Sequence, residues 1–297
     1  MKLEWAPGEH VEVTFTPAED EAAPLLVVWP AFGTPARFYR HLAPALAAAG
    51  LANVVVEYPG RETPRGVGRH SSYGYDALAT KVHEAVMTYA HRERPEAPVY
   101  ILGHSLGAHI ALFAAAMHAG DDASRAGFSP RGLALVATGS PYWRGFERNG
   151  FLRSYLGTGF MAFVARTVGY WPGDRLKFWG RQSGVLVADW ARLARTGHVR
   201  PKGAERSYDD ALAAYTGDVL AISLPEDPLA PVTALEELLK LVPRARVTRR
   251  HAAIRVGHIQ WVRRHEEIVG LTAEWVHTQE AEQSPNARAT TGVDAQV

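Results

Sequence analysis

Residues 99–113, VYILGHSLGAHIALF, put one serine between two glycines where an apolar run gives way to a helical pattern. A serine hydroxyl is a poor nucleophile until a base takes its proton, and the oxyanion formed on a carbonyl needs hydrogen-bond donors. Gly103-His104-Ser105-Leu106-Gly107 suits the second need. Gly-x-Ser-x-Gly alone is a weak signal. Here it follows a strand pattern and opens a helix, so Ser105 is predicted to occupy a strained strand-to-helix corner with φ above zero. Small neighbours give that corner room, and the first turn of the following helix aims its free N–H groups at the serine oxygen. An ordinary strand-to-helix turn is the plain alternative reading.

A base and an acid must then be found. Of 13 histidines, His258 has the most suitable surroundings: IRVGHIQWV puts it after the last predicted strand, behind Gly257, in a loop that leads to the terminal helix. His251, on that last strand, is the chief rival. His10, His41, His83, His91 and His118 fall in predicted elements or at their ends, and the His104 side chain is expected to point away from the serine. For the carboxylate that orients an imidazole, ISLPEDPLAP offers Glu226 and Asp227 just beyond a strand. An exposed pair of loop carboxylates is the plain alternative for both.

The order serine, acid, histidine, with GHSLG, DPLAP and the GH loop before the terminal helix, resembles the α/β-hydrolase fold superfamily over roughly residues 24 to 276. The resemblance implies a catalytic triad of Ser105, Asp227 and His258, with Glu226 as the substitute acid. It implies an oxyanion hole made by the backbone N–H of Leu106 and by one from the loop after the first parallel strand. Many such proteins have His-Gly before that second donor; this chain has Pro30-Ala31, so the matching residue is Phe32 and the geometry of the loop is left open. FGTPARFYRHLA also resembles a little-studied bacterial group of α/β-hydrolases, although Tyr39 and Arg40 read here as plain helix residues.

The elements that must position these residues alternate. KLEWA and HVEVTFTPA, joined at Pro7-Gly8, read as a hairpin. Residues 24–30, 52–60, 131–140, 217–225 and 244–251, with the run before Gly103, read as strands; 36–50, 72–94 and 106–118 read as helices. Such β-α alternation predicts a mostly parallel sheet flanked by helices. Residues 140–215 interrupt it at far greater length than a strand connection needs. Of the chain's 8 Trp, 11 Tyr and 10 Phe, twelve lie between 140 and 206, where 12 Lys or Arg meet 4 Asp or Glu. That window carries +8 in a chain of net charge +1, so the remainder carries −7. It is expected to be a helical cap over a core of residues 1–139 and 216–278. Residues 279–297, polar and patternless, are expected to be a disordered tail.

Composition excludes several classes. There is no cysteine, hence no disulfide, thiolate zinc site or cysteine nucleophile. No His-Glu-x-x-His run suggests a metal hydrolase, and PAFGTPARF after the first buried strand lacks a dinucleotide-binding glycine pattern. The near-neutral net charge does not call for nucleic acid. MKLEWAPGEHVEV lacks an apolar signal core and no run reaches a membrane span, so a cytoplasmic protein is expected. A serine at the elbow argues against epoxide hydrolases and dehalogenases of this fold, which use aspartate there. The expected function is hydrolysis of small carboxylic esters with apolar acyl groups, with no cofactor and no metal. The alternative is a thioesterase or acyltransferase whose basic, aromatic cap receives coenzyme A or an acyl carrier protein.

Overall fold

Runs such as Leu25–Trp29 and Gly132–Val136 offer water no polar face, and in the computed structural model both lie inside one sheet, buried at every residue. The structure describes residues 1–61, 66–120, 127–146, 150–176 and 179–283. Its strands are β1 (Lys2–Ala6), β2 (Glu9–Thr16), β3 (Leu25–Trp29), β4 (Ala52–Val56), β5 (Val99–His104), β6 (Gly132–Val136), β7 (Tyr170–Gly173), β8 (Gly180–Ser183), β9 (Asp218–Ser223) and β10 (Arg246–His251). Eight of them form the main sheet in the order β1-β2-β4-β3-β5-β6-β9-β10. The hairpin β1–β2 is antiparallel and joins β4 antiparallel; every other neighbouring pair is parallel.

The main helices are α1 (Leu42–Ala48), α2 (His83–Glu93, entered through the helical turns Tyr75–Ala77 and Leu78–Val82), α3 (Leu106–His118), α4 (Thr158–Val168), α5 (Gly184–Thr196), α6 (Tyr208–Ala214), α7 (Val232–Leu239) and α8 (Glu266–Gln283). Alternate residues of β3 feed two cores. Leu25, Val27 and Trp29 pack with α2 and α3, while Leu26 and Val28 pack with α1 and α8. All thirteen residues of α3 are buried, making it the axis of the first layer.

Several boundaries differ from the sequence reading. The helix expected over 36–50 is a 3₁₀ turn, Ala36–Tyr39, followed by α1, because Pro44 is tolerated only in the first turn of a helix. The inserted region is not purely helical. It holds a 3₁₀ turn (Trp143–Gly145), a wide helical stretch (Phe151–Gly157) running into α4, the antiparallel pair β7–β8, then α5 and α6. Of these, α6 lies against α3, with Tyr208 edge-on to Phe113 at 5.9 Å. The terminal helix runs to Gln283, so residues 279–283 are helix rather than disordered tail; residues 284–297 of that expected tail lie outside the described residues.

β3 lies between β4 and β5, so the chain leaves toward opposite edges after β3 and a crevice opens at the carboxyl ends of β3 and β5. The loops carrying Phe32, Ser105, Asp227 and His258 all follow such strand ends.

Candidate active site

Ser105 has φ 55° and ψ −114°, strained for a residue with a side chain. Three backbone contacts hold it. Its N–H donates to the Val136 carbonyl (3.0 Å), and its own carbonyl accepts from the Ala108 N–H (3.0 Å) and the Thr138 hydroxyl (2.9 Å). The two flanking glycines are needed for close approach. A Cβ on Gly107 would stand 2.1 Å from the Trp29 carbonyl oxygen, and one on Gly103 2.4 Å from Ala108 Cα. The elbow therefore packs α3 against the ends of β3 and β5, with the serine hydroxyl above them.

His258 Nε2 lies 2.8 Å from Ser105 Oγ, and His258 Nδ1 lies 2.7 Å from Asp227 Oδ2. Asp227 is buried; its other oxygen accepts the N–H groups of Leu229 and Ala230, both at 3.0 Å. Three acceptor positions filled by fixed donors orient this carboxylate. With Nδ1–H donated to Asp227, Nε2 is free to accept the serine proton; this tautomer is assigned from the network. The structure brings Ser105, Asp227 and His258 together within hydrogen-bond distance. It leaves the two rivals outside: exposed Glu226 pairs with Arg255 at 2.9 Å, and exposed His251 meets the Ser223 hydroxyl at 2.8 Å.

The Phe32 and Leu106 N–H groups make no hydrogen bond among the described residues, and both residues line the same cavity as Ser105. The loop of Phe32 is tightly held although it lacks His-Gly. The Tyr58 hydroxyl donates to the Pro30 carbonyl (2.8 Å), the Ala31 N–H donates to the Tyr39 hydroxyl (2.9 Å), and the Ala36 N–H donates to Glu57 (2.8 Å). The Phe32 ring stacks on Trp190 (5.4 Å) and meets Trp179 edge-on (5.8 Å), which ties the loop to the inserted region.

Tyr39, a plain helix residue to the sequence reading, proves to be a hub. Its hydroxyl also lies 2.7 Å from His104 Nδ1, and His104 Nε2 lies 2.9 Å from the His258 carbonyl oxygen. Burial, and secondarily the neighbouring His258, hold the His104 imidazole well below its usual pKa, so it carries one proton. Placing that proton on Nε2 satisfies the His258 carbonyl, lets Nδ1 accept the Tyr39 O–H, and leaves the tyrosine oxygen to accept the Ala31 N–H. The opposite tautomer would satisfy the Trp261 indole N–H (3.1 Å) but strand both the carbonyl and the tyrosine proton. A buried chain of hydrogen bonds thus connects the loop of Phe32 to the backbone of His258. As expected, His104 points away from the serine; the helical stretch around Tyr39 carried no sequence signal for this contact.

Over the serine lies a cavity of about 680 Å³. Its walls include Phe146, Phe160, Met161, Trp171, Trp179 and Trp190 from the inserted region, with His109 from α3. His109 is also structural: its Nδ1 meets the Tyr75 hydroxyl (2.9 Å) and its Nε2 the Gly139 carbonyl (3.0 Å). Burial pushes its pKa down to about 4. The insertion is pinned to the core by buried Asp189, which accepts the N–H groups of Tyr75 (3.3 Å) and Lys202 (3.0 Å).

A mostly parallel α/β sheet with a serine elbow after β5, an acid loop after β9 and a histidine loop after β10 defines an α/β-hydrolase architecture. The chain belongs to the alpha/beta hydrolase family, whose profile matches residues 26–271. Among solved structures it is similar to Est1E from Butyrivibrio proteoclasticus (17% identity, TM-score 0.56, covering 95% of this chain and 98% of that one). It is also similar to a bromoperoxidase from Bacillus anthracis (12%, 0.60, 93% and 99%) and an esterase from Exiguobacterium antarcticum (15%, 0.60, 93% and 99%). A search of curated proteins gives no match. No helix among the described residues is long and apolar enough to cross a membrane.

Proposed function

We propose that the protein is a serine hydrolase that cleaves carboxylic esters of apolar acyl groups. The observation that carries this reading is the unbroken pair of hydrogen bonds from Asp227 through His258 to Ser105, at 2.7 and 2.8 Å, at a cavity walled by apolar rings. Ser105 Oγ attacks the ester carbonyl as His258 Nε2 takes its proton, and Asp227 stabilises the imidazolium. The oxyanion is received by the Leu106 and Phe32 N–H groups. Collapse of the tetrahedral adduct breaks the C–O bond, and His258 returns the proton to the leaving alcohol. Water then attacks the acyl-enzyme with His258 again as base, releasing the acid and restoring Ser105. The family, and the esterase from Exiguobacterium antarcticum among the similar structures, support the reading at the level of the fold.

A fluorophosphonate probe should label Ser105, and Ser105→Ala should abolish labelling in a protein that still folds. Labelling at buried Ser140, or none at all, would remove the serine from the mechanism. A panel of p-nitrophenyl esters and acyl-CoA thioesters under one set of conditions then tests the substrate. A tenfold or greater preference for thioesters would replace the ester reading by a thioesterase or acyltransferase using the same acyl-enzyme.

A further inference from the structure

The helical stretch Phe151–Gly157 and α4 are inside out. Their buried side carries Ser154, Thr158, Met161 and Ala165, two of them hydroxyl residues. Their solvent side carries Leu152, Leu156, Phe160 and Phe163, which are 63%, 46%, 62% and 64% exposed. A helix that only packs on a core in water has the opposite pattern, and large exposed apolar faces mark interaction sites. Phe151 and Leu176, each at least half exposed, widen the patch.

Two further observations say what covers it. First, Phe160 and Leu176 are both exposed and part of the cavity wall, so the patch and the cavity above Ser105 share an apolar rim. Second, residues 150–173 contain two arginines and no Asp or Glu. Exposed Arg166, on α4, and Arg175, beside Leu176, pair with no carboxylate among the described residues. An aliphatic and aromatic face edged by free guanidinium groups matches an anionic lipid surface, where rings and chains enter the acyl boundary and cations meet the headgroups.

We propose that this outer face of the insertion docks on an anionic lipid surface and opens the cavity toward it, so that amphiphilic substrates enter from the lipid phase. Docking is read without turnover, so its failure is distinguishable from failure of the ester reading. The full-length protein should co-sediment with vesicles of phosphatidylcholine mixed with phosphatidylglycerol, less with phosphatidylcholine alone, and less in high salt. Leu152→Asp with Phe163→Asp, neither in the cavity wall, should weaken vesicle binding by about tenfold or more and leave hydrolysis of a short soluble ester unchanged. Arg166→Glu with Arg175→Glu should abolish the preference for the anionic vesicles. Circular dichroism melts keep folding defects apart from binding defects. Wild-type protein that ignores both vesicles, or a Leu152→Asp/Phe163→Asp protein that binds like wild type, overturns the proposal. So does a wild-type dimer that this double substitution makes monomeric, or capture by an acidic acyl carrier protein, if either occurs without vesicle binding.

Discussion

Ser105, His258 and Asp227 arrive from three loops, and the cost of losing each follows from what it does in the proposed reaction. His258→Ala removes the proton acceptor and should lower kcat by at least ~10³; Asp227→Asn leaves an imidazole without its anchor and should cost ~10² or more. His251→Ala and Glu226→Gln should stay within about tenfold of wild type, since one pairs with Ser223 and the other with Arg255 at the surface. Assaying the four purified variants together on the best ester checks the assignment. A fully active, folded His258→Ala would end it, whereas a dead Glu226→Gln beside a healthy Asp227→Asn would move the acid by one residue. Tyr39 adds a residue that reads as plain helix in the sequence. Tyr39→Phe leaves the Ala31 N–H and His104 Nδ1 without their partner, a loss of about 1–3 kcal/mol for each stranded buried group. Because the hydroxyl is outside the cavity wall, kcat should fall by roughly tenfold with KM nearly unchanged; a rise in KM alone would show that Tyr39 does not position the loop.

At the scale of elements, the elbow is a packing solution as much as a chemical one. α3 approaches β3 and β5 so closely that two glycines have no room for a methyl group. Gly107→Ala would drive its Cβ onto the Trp29 carbonyl, and overpacking of that kind costs about 3 kcal/mol. A fall in Tm of roughly 5–10 °C, with a larger fall in activity because Leu106 shifts with its neighbour, is the expected outcome by calorimetry and assay. An unchanged Tm would mean that the elbow can relax without disturbing β3. The element boundaries also show where pattern reading stops. Parallel strands were plain from their continuous apolar runs, and the helical period marked α2 and α3. The β7–β8 pair leaves no pattern in the sequence, because YWPG and GRQS are four residues each, each carries a glycine, and neither alternates.

Across the whole molecule, buried imidazoles set the response to acid. His83 is held to about 3 and His109 to about 4, and His104 lies well below its usual range, with burial the main cause in each. The unfolded chain takes up these protons below pH ~6.5 while the folded chain does not, so stability falls as pH drops below that value. Each such group costs about 1.4 kcal/mol per pH unit until its folded pKa is reached. Asp189 works the other way. Burial raises its pKa to about 6, so the folded chain protonates first and gains stability as pH falls from about 6 toward 4. Three histidines outweigh one aspartate, and Tm should fall by roughly 10 °C between pH 7 and pH 5. A flat melting profile over that range would contradict the burial of these rings as neutral bases.

The serine elbow and the parallel sheet are legible because each is local: a short glycine-flanked corner and an apolar run buried on both faces. The choice of His258 over His251 and of Asp227 over Glu226 is a matter of direction. Neighbours in sequence leave a strand end or loop on opposite sides, and only the packed chain shows that Asp227 turns inward onto the Leu229 and Ala230 N–H groups while Glu226 turns to water. The same holds for the insertion. Its aromatics and positive charge can be counted along the chain, but tertiary packing put Ser154 and Thr158 inside and Leu152 and Phe163 outside. It also joined Tyr39, His104 and His258, separated by 65 and 154 residues, through contacts that no spacing rule encodes. Local sequence sets backbone preference and periodicity; which buried polar groups find one another depends on how distant segments close around the sheet.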